Sequence, residues 1–236
     1  MRRAARPIAA SRSAFLARLD GLVVGPDPAS GVFVGTTFEH PDLGFALDMP
    51  AGWKTKNTPA TAIAVQPNGR AAVALQLVAE GDDPVKGARE DGLDDKVVRQ
   101  ATRQTISGFP AIQLVGQDRD TRMQLTWIAY QHRIFRVTGG AAIRDFDNYR
   151  EAFARTTSSF RPLSRDARER ITEVRLRARP LRADESLATF IARTGGVWKV
   201  EQTAVANGVA IDAKLDEGFP VKVPIRQRYE GRRPTS

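Results

Sequence analysis

Between residues 43 and 49 apolar and polar positions alternate, with Phe45, Leu47 and Met49 on one face and Ala46 and Asp48 on the other. Period two marks a half-buried strand. Pro50-Ala51-Gly52 then stops the ladder, because Pro donates no hydrogen bond and Gly admits turn dihedrals. Trp53 follows as a large apolar body at the edge of a core. Most later strands are expected to partner this one.

Upstream, residues 13–22 place Phe15, Leu16, Leu19 and Leu22 on one side of a short helix, with Ser13 as N-cap and Gly21 as stop. A helix that short needs a surface to dock on. Residues 25–31 read as a loop. Further strands are expected over 32–39, 61–66 and 71–79, the last two joined as a hairpin by Pro67-Asn68-Gly69. Residues 83–98 form a polar helical crossover with weak apolar periodicity. Strands return at 102–107, 111–117, 122–130 and 133–138. In the third of these Met123, Leu125, Trp127 and Ala129 share a face, and Gln131-His132 is the tight turn into the fourth. Gly139-Gly140 reads as a turn. Residues 145–159 are an amphipathic helix with Phe146, Tyr149 and Phe153 along one face and Phe160 beyond. One sheet covered by helices on a face buries these stripes.

Ser164 caps a linker helix over 165–171. After it come an extended run (174–180), a helix (184–193) with Leu187, Phe190 and Ile191 inward, a Gly195-Gly196 break, a second helix (201–207), a turn at 215–218 and a strand (220–225). The order is strand, helix, helix, strand. The expected fold class is therefore α+β, an antiparallel sheet packed with helices, followed by a small βααβ unit. The expected divisions are a basic N-terminal segment and short helix (1–30), an α+β domain (31–163), a linker helix (164–172), the βααβ unit (173–226) and a loose basic tail (227–236), the looseness setting in at Arg226.

Composition adds few constraints. Apolar residues make up 42% of 236, which supports a real core, and the absence of cysteine removes disulfides and thiolate ligands. No run reaches the length of a membrane span. The first ten residues are basic but lack the apolar centre of a secretory signal. A net charge of +9 and a pI near 10.4 suit an anionic partner such as nucleic acid. Only seven of the 36 basic residues are Lys, so a compositional bias toward Arg is the simpler account of the charge.

Reaction chemistry is sparse. The two histidines, His40 and His132, stand 92 positions apart and read as turn or surface residues, and no His-Glu-x-x-His occurs. There is no Gly-x-Ser-x-Gly, no phosphate loop and no Gly-x-Gly-x-x-Gly. Asp82-Asp83 and Asp94-Asp95 lack the spacing of a calcium loop and read as solvated helix faces. The Arg-rich stretch 161–182 reads as a solvated linker with weak local ion pairs. Trp53 and Trp127 sit in strand contexts that favour core packing. Trp198, beside the Gly-Gly break, is expected to be partly exposed.

Three segments in order, 14–25, His40-Pro41 through Gly52-Trp53, and the small unit, resemble the region downstream of the peptidase in bacterial envelope zinc metallopeptidases of the HtpX/oligopeptidase type. The zinc helix of that family would lie upstream, so no catalytic residue and no cofactor is carried over, and zinc belongs only to a peptidase domain in cis or trans. The larger domain looks like the PsbP/Mog-type fold, on Phe45 to Trp53, the 123–137 hairpin and the helix after it. The small unit resembles a LysM domain, a binder of N-acetylglucosamine polymers. Asp184-Glu185-Ser186-Leu187 stands where such domains read Gly-Asp-Thr-Leu, and Asn207 matches the Asn after the second helix. Leu215, Gly218, Val221 and Val223 match the closing strand. The resemblance implies glycan contact at Asp184, Glu185, Ser186, Asn207 and Val209, and a non-catalytic accessory role in the periplasm or cell envelope, tethering or positioning a protease or its substrate at peptidoglycan. A basic nucleic-acid binder is the alternative.

Overall fold

The computed structural model describes residues 11–231. The expected basic stretch 1–10 and the end of the expected tail, 232–236, lie outside the described residues. In chain order the elements are α1 (Arg12–Leu19), β1 (Val32–Val34), β2 (Thr37–His40), β3 (Phe45–Asp48), β4 (Lys54–Asn57), β5 (Thr61–Val65), β6 (Ala71–Glu80), α2 (Pro84–Glu90), α3 (Asp95–Val98), β7 (Thr102–Ile106), β8 (Phe109–Gln117), β9 (Thr121–Tyr130), β10 (Arg133–Ala142), α4 (Phe146–Ser158), β11 (Arg161–Pro162), α5 (Arg165–Arg170), β12 (Thr172–Pro180), α6 (Leu187–Thr194), α7 (Val200–Asn207) and β13 (Pro220–Arg228). They form two compact units. Of the described residues, one comprises 29–168 with 231, the other 11–28 with 169–230.

The larger unit is α+β, with antiparallel sheets packed by helices. Its main sheet has seven strands in the order β4-β5-β6-β10-β9-β8-β7. Strand β9 shows why both faces must be covered. Trp127 and Ala129 join Ala88, Val98, Ile112 and Ile134 on the side of α2 and α3. Ile128 and Tyr130 turn the other way, into a cluster with Phe45, Phe135, Phe153 and Phe160. Each fully buried large apolar side chain there contributes about 2–3 kcal/mol. The turn between β9 and β10 puts Gln131 and His132 at φ 48° and 59°, the left-handed pair that matches strand twist in a two-residue hairpin.

Several expectations are corrected. Strand β3 does not organise the main sheet. It lies in a separate four-stranded sheet, β1-β2-β3-β11, and Phe45 and Leu47 face the main sheet's aromatic cluster. The expected strand over 32–39 is two strands, β1 and β2, paired with each other. The crossover 83–98 is two short helices capped by Asp83 and Asp94, whose carboxylates accept from Val85 and Lys96 N–H, so these two acids are caps rather than spare surface charge. Gly139-Gly140 is no turn. It runs through β10, where a Cβ on Gly139 would stand 2.3 Å from the Phe153 ring, so helix α4 packs on the sheet only because that position is glycine. Strand β4 was not expected at all. His40 is buried, its Nδ1 accepting from Leu43 N–H at 3.2 Å between the Phe38 and Phe45 rings.

In the smaller unit β12 and β13 pair antiparallel along nine residues. Helices α6 and α7 cover them around Leu181, Leu187, Phe190, Ala204, Val221 and Val223. Helix α1, capped by Ser11 rather than Ser13, docks here. The chain after it runs alongside β12 through Gly21 N–H to Leu176 O and Val24 N–H to Val174 O. The tail is ordered further than expected, because β13 continues to Arg228 and Tyr229 is buried.

Candidate functional site

The turn from β12 into α6 carries three of the predicted glycan contacts. Leu181 is tied down by its N–H to Phe219 O and by Gly218 N–H to its carbonyl. The Glu185 carboxylate takes Arg193 Nε and Nη2 at 2.6 Å each and Arg182 N–H at 3.0 Å. Its side chain is 5% exposed. The Arg193 hydrogen bonds, ahead of any burial effect, bring its pKa down to about 2. Such a two-pronged pair fixes geometry as well as charge. Ser186 caps α6, its Oγ accepting from Thr189 N–H at 3.2 Å. Asp184 is exposed and sits at φ 54°, a left-handed conformation in which glycine is unstrained. This gives a physical reason for the glycine of the resembling domains at that place.

The end of α7 carries the other two. Asn207 is buried, with Nδ2 donating to Thr203 O and Lys222 O at 2.9 Å each. Its Oδ1 accepts from Lys222 N–H at 2.8 Å and from Arg12 Nη2 at 3.4 Å. The side-chain amide is thus saturated and joins helix to strand. Arg12 also donates to Asn207 O at 3.0 Å and lies 4.7 Å above the Phe219 ring. Val209 N–H closes the helix on Ala204 O, and its side chain packs against the small core. Asp184, Glu185 and Ser186 are therefore together on one turn, while Asn207 and Val209 hold the fold at the other. The first turn is anchored to Phe219, just before β13, and the second to Lys222 within it. Sequence reasoning missed Arg193, Arg12 and Phe219. Arg193 is eight positions from Glu185 and Arg12 is 195 from Asn207, so no local spacing pointed to either.

Trp198, Glu201, Gln202, Val205 and Ala206 line a shallow hollow at the start of α7. Trp198 is half-buried, as expected. In the larger unit a groove of about 560 Å³ runs between the 48–53 connection and α4. At its end Asp48 is held by both Arg161 terminal nitrogens at 2.8 and 3.0 Å and by Thr37 Oγ1 at 2.7 Å. The Arg161 hydrogen bonds keep its carboxyl below the ordinary range. Arg161 thus belongs to this cluster and not to a linker. Among the described residues no three His, Asp or Glu side chains converge as a metal site. His132 pairs with Asp82 in an exposed turn, Nδ1 to Oδ2 2.9 Å. No described helix is long and apolar enough to cross a membrane.

No family model matches this chain, and no curated protein does. Among solved structures it is similar to a protein from Bacteroides thetaiotaomicron, with 12% identity and a TM-score of 0.44 over 73% of this chain. The match spans 62% of the Bacteroides protein. It is also similar to cyanobacterial PsbP (CyanoP) from Synechocystis sp. PCC 6803, with 11% identity and a TM-score of 0.41 over 56% of this chain and 95% of that one. A third similarity is to LpqN of Mycobacterium tuberculosis, described as involved in cell envelope biogenesis, with 13% identity and a TM-score of 0.31 over 67% of this chain and all of that one.

Proposed function

We propose that this chain is a non-catalytic accessory region of a cell-envelope protein, whose small unit holds an N-acetylglucosamine polymer. Through that hold it positions a zinc metallopeptidase or its substrate, in cis or in trans. The observation that carries the reading is the 181–186 turn, which the Glu185–Arg193 clamp and the Leu181 backbone bonds fix between strand and helix. A recognition loop gains affinity when its geometry is set before the ligand arrives. The contact set is revised from the one the resemblance implies. Exposed Asp184 and the backbone groups of the two turns face the ligand, Glu185 and Ser186 hold the first turn, and Asn207 and Val209 hold the second.

Co-sedimentation of the full chain with purified peptidoglycan tests this. The expected result is pelleting that persists at about 0.5 M salt, where exposed charge attraction is screened within a few ångströms. Asp184→Lys is expected to reduce it. A chain that stays in the supernatant at low salt overturns the glycan reading. Binding to duplex DNA with a steep log–log salt slope would favour the basic nucleic-acid reading instead.

A further inference from the structure

The two ends of the seven-stranded sheet differ in a way the reading above does not use. At one end β4 carries Lys54 and Lys56, and its Asn57 amide donates to Ser30 O and Gly31 O at 3.0 and 2.8 Å. Lysines and side-chain ties to a neighbouring loop are the usual means of blunting a sheet edge. At the other end β7 pairs with β8 alone, and Thr102, Arg103, Gln104 and Thr105 are exposed. Arg103 has no ion-pair or hydrogen-bond partner for its guanidinium among the described residues.

The register shows which groups are open. Thr105 stands opposite Pro110, which has no N–H to give, so this is a non-hydrogen-bonded pair of the antiparallel ladder. The turn agrees, because Ser107 and Gly108 at φ 50° and 85° form a two-residue hairpin that leaves Ile106 and Phe109 as the bonded pair. Thr102, Gln104 and Ile106 therefore bond β8. Arg103 and Thr105 turn their N–H and C=O outward. The strand is already held in place by buried Ile106, by Ser107 Oγ donating to Phe160 O at 2.6 Å and by Gln104 Nε2 to Gln113 Oε1 at 3.0 Å.

We propose that the outer edge of β7 takes an extended acidic segment of a partner protein as an eighth strand. The added strand exchanges main-chain hydrogen bonds with Arg103 and Thr105. An acidic residue at the cross-strand position meets the unpaired Arg103 guanidinium. The net charge of +9 draws such a segment in and opposes a second copy of this chain at the same edge.

Fluorescence anisotropy of the full chain with three labelled ten-residue peptides tests this. One alternates Val and Glu, one alternates Val and Lys, and one has the charge of the first with Pro for every Val, so that it cannot join a ladder. The Val-Glu peptide is expected to bind at least about tenfold tighter than either other, and to slow amide exchange at residues 103 and 105. Thr105→Pro removes an outward N–H while leaving every bond to β8 in place, and is expected to abolish binding. Arg103→Glu, a surface change that leaves the fold intact, is expected to weaken it about tenfold. Lys56→Thr at the far edge leaves it unchanged. Equal binding of the Pro-containing peptide, indifference to both β7 variants, or no binding overturns the proposal. So does a concentration-dependent dimer that Thr105→Pro dissociates, since that puts a second copy on the edge.

Discussion

The larger unit is held by apolar layers and the smaller one by polar pins. In the former, nineteen buried residues form one cluster, and the Phe135 ring lies 4.8, 6.5 and 5.5 Å from Phe45, Tyr130 and Phe160. In the latter the central cluster has six buried apolar residues, and the two turns are fixed by Glu185–Arg193 and by Asn207. A small core cannot order its own loops through burial alone. Hydrogen-bonded charges and amides do so there, and they make the geometry of those turns specific and sensitive to single atoms.

The largest expected effect is on the apolar side of that contrast. Phe135→Ala should cost the larger unit about 3–5 kcal/mol, read as a shift in urea unfolding followed by amide exchange in β9 and β10, with much less change in β13. Asn207→Ala should destabilise the smaller unit by about 2–3 kcal/mol, because Lys222 N–H and two carbonyls lose their partner. An Ala variant indistinguishable from wild type would mean the polar pin is dispensable.

How much of this was legible in the sequence follows the same divide. Strands were expected where β5, β6, β8 and β9 lie, β9 from its alternation, and Pro67-Asn68-Gly69 showed the hairpin between β5 and β6. Alternation says which face of a strand is buried and not which strand lies beside it, so β3 was expected to be central and stands instead in a second sheet. Strand β4, Lys-Thr-Lys-Asn, has no apolar residue to alternate. Gly139 was taken for punctuation because the Phe153 ring that demands it comes fourteen residues later. At the candidate site the resemblance singled out Asn207 as a ligand contact. The structure has it as a strut, since a saturated amide and a ligand-facing amide look alike in one dimension.

Acid should act on the smaller unit through Glu185. Its carboxyl is lowered from 4.5 to about 2 in the folded state, chiefly by the Arg193 hydrogen bonds. A lowered folded value gives stability that is complete above the ordinary pKa and fades as pH falls from about 4.5 toward 2. Glu185→Gln should therefore flatten the smaller unit's stability over that window, measured by thermal unfolding at pH 6, 4 and 2.5. The smallest effect is expected at Asp184. Replacing it with Gly should stabilise the turn by about 0.5 kcal/mol through relief of its positive φ. A loss instead would show that the carboxylate makes a contact worth more than the strain.

The most direct measurement is amide chemical-shift mapping on the full chain during titration with tetra-N-acetylchitotetraose. A saccharide held by the small unit should shift residues 181–186 and those just beyond Asn207, with β4–β10 unmoved. Saturation with no change in those two turns, or changes confined to the larger unit, would contradict the account.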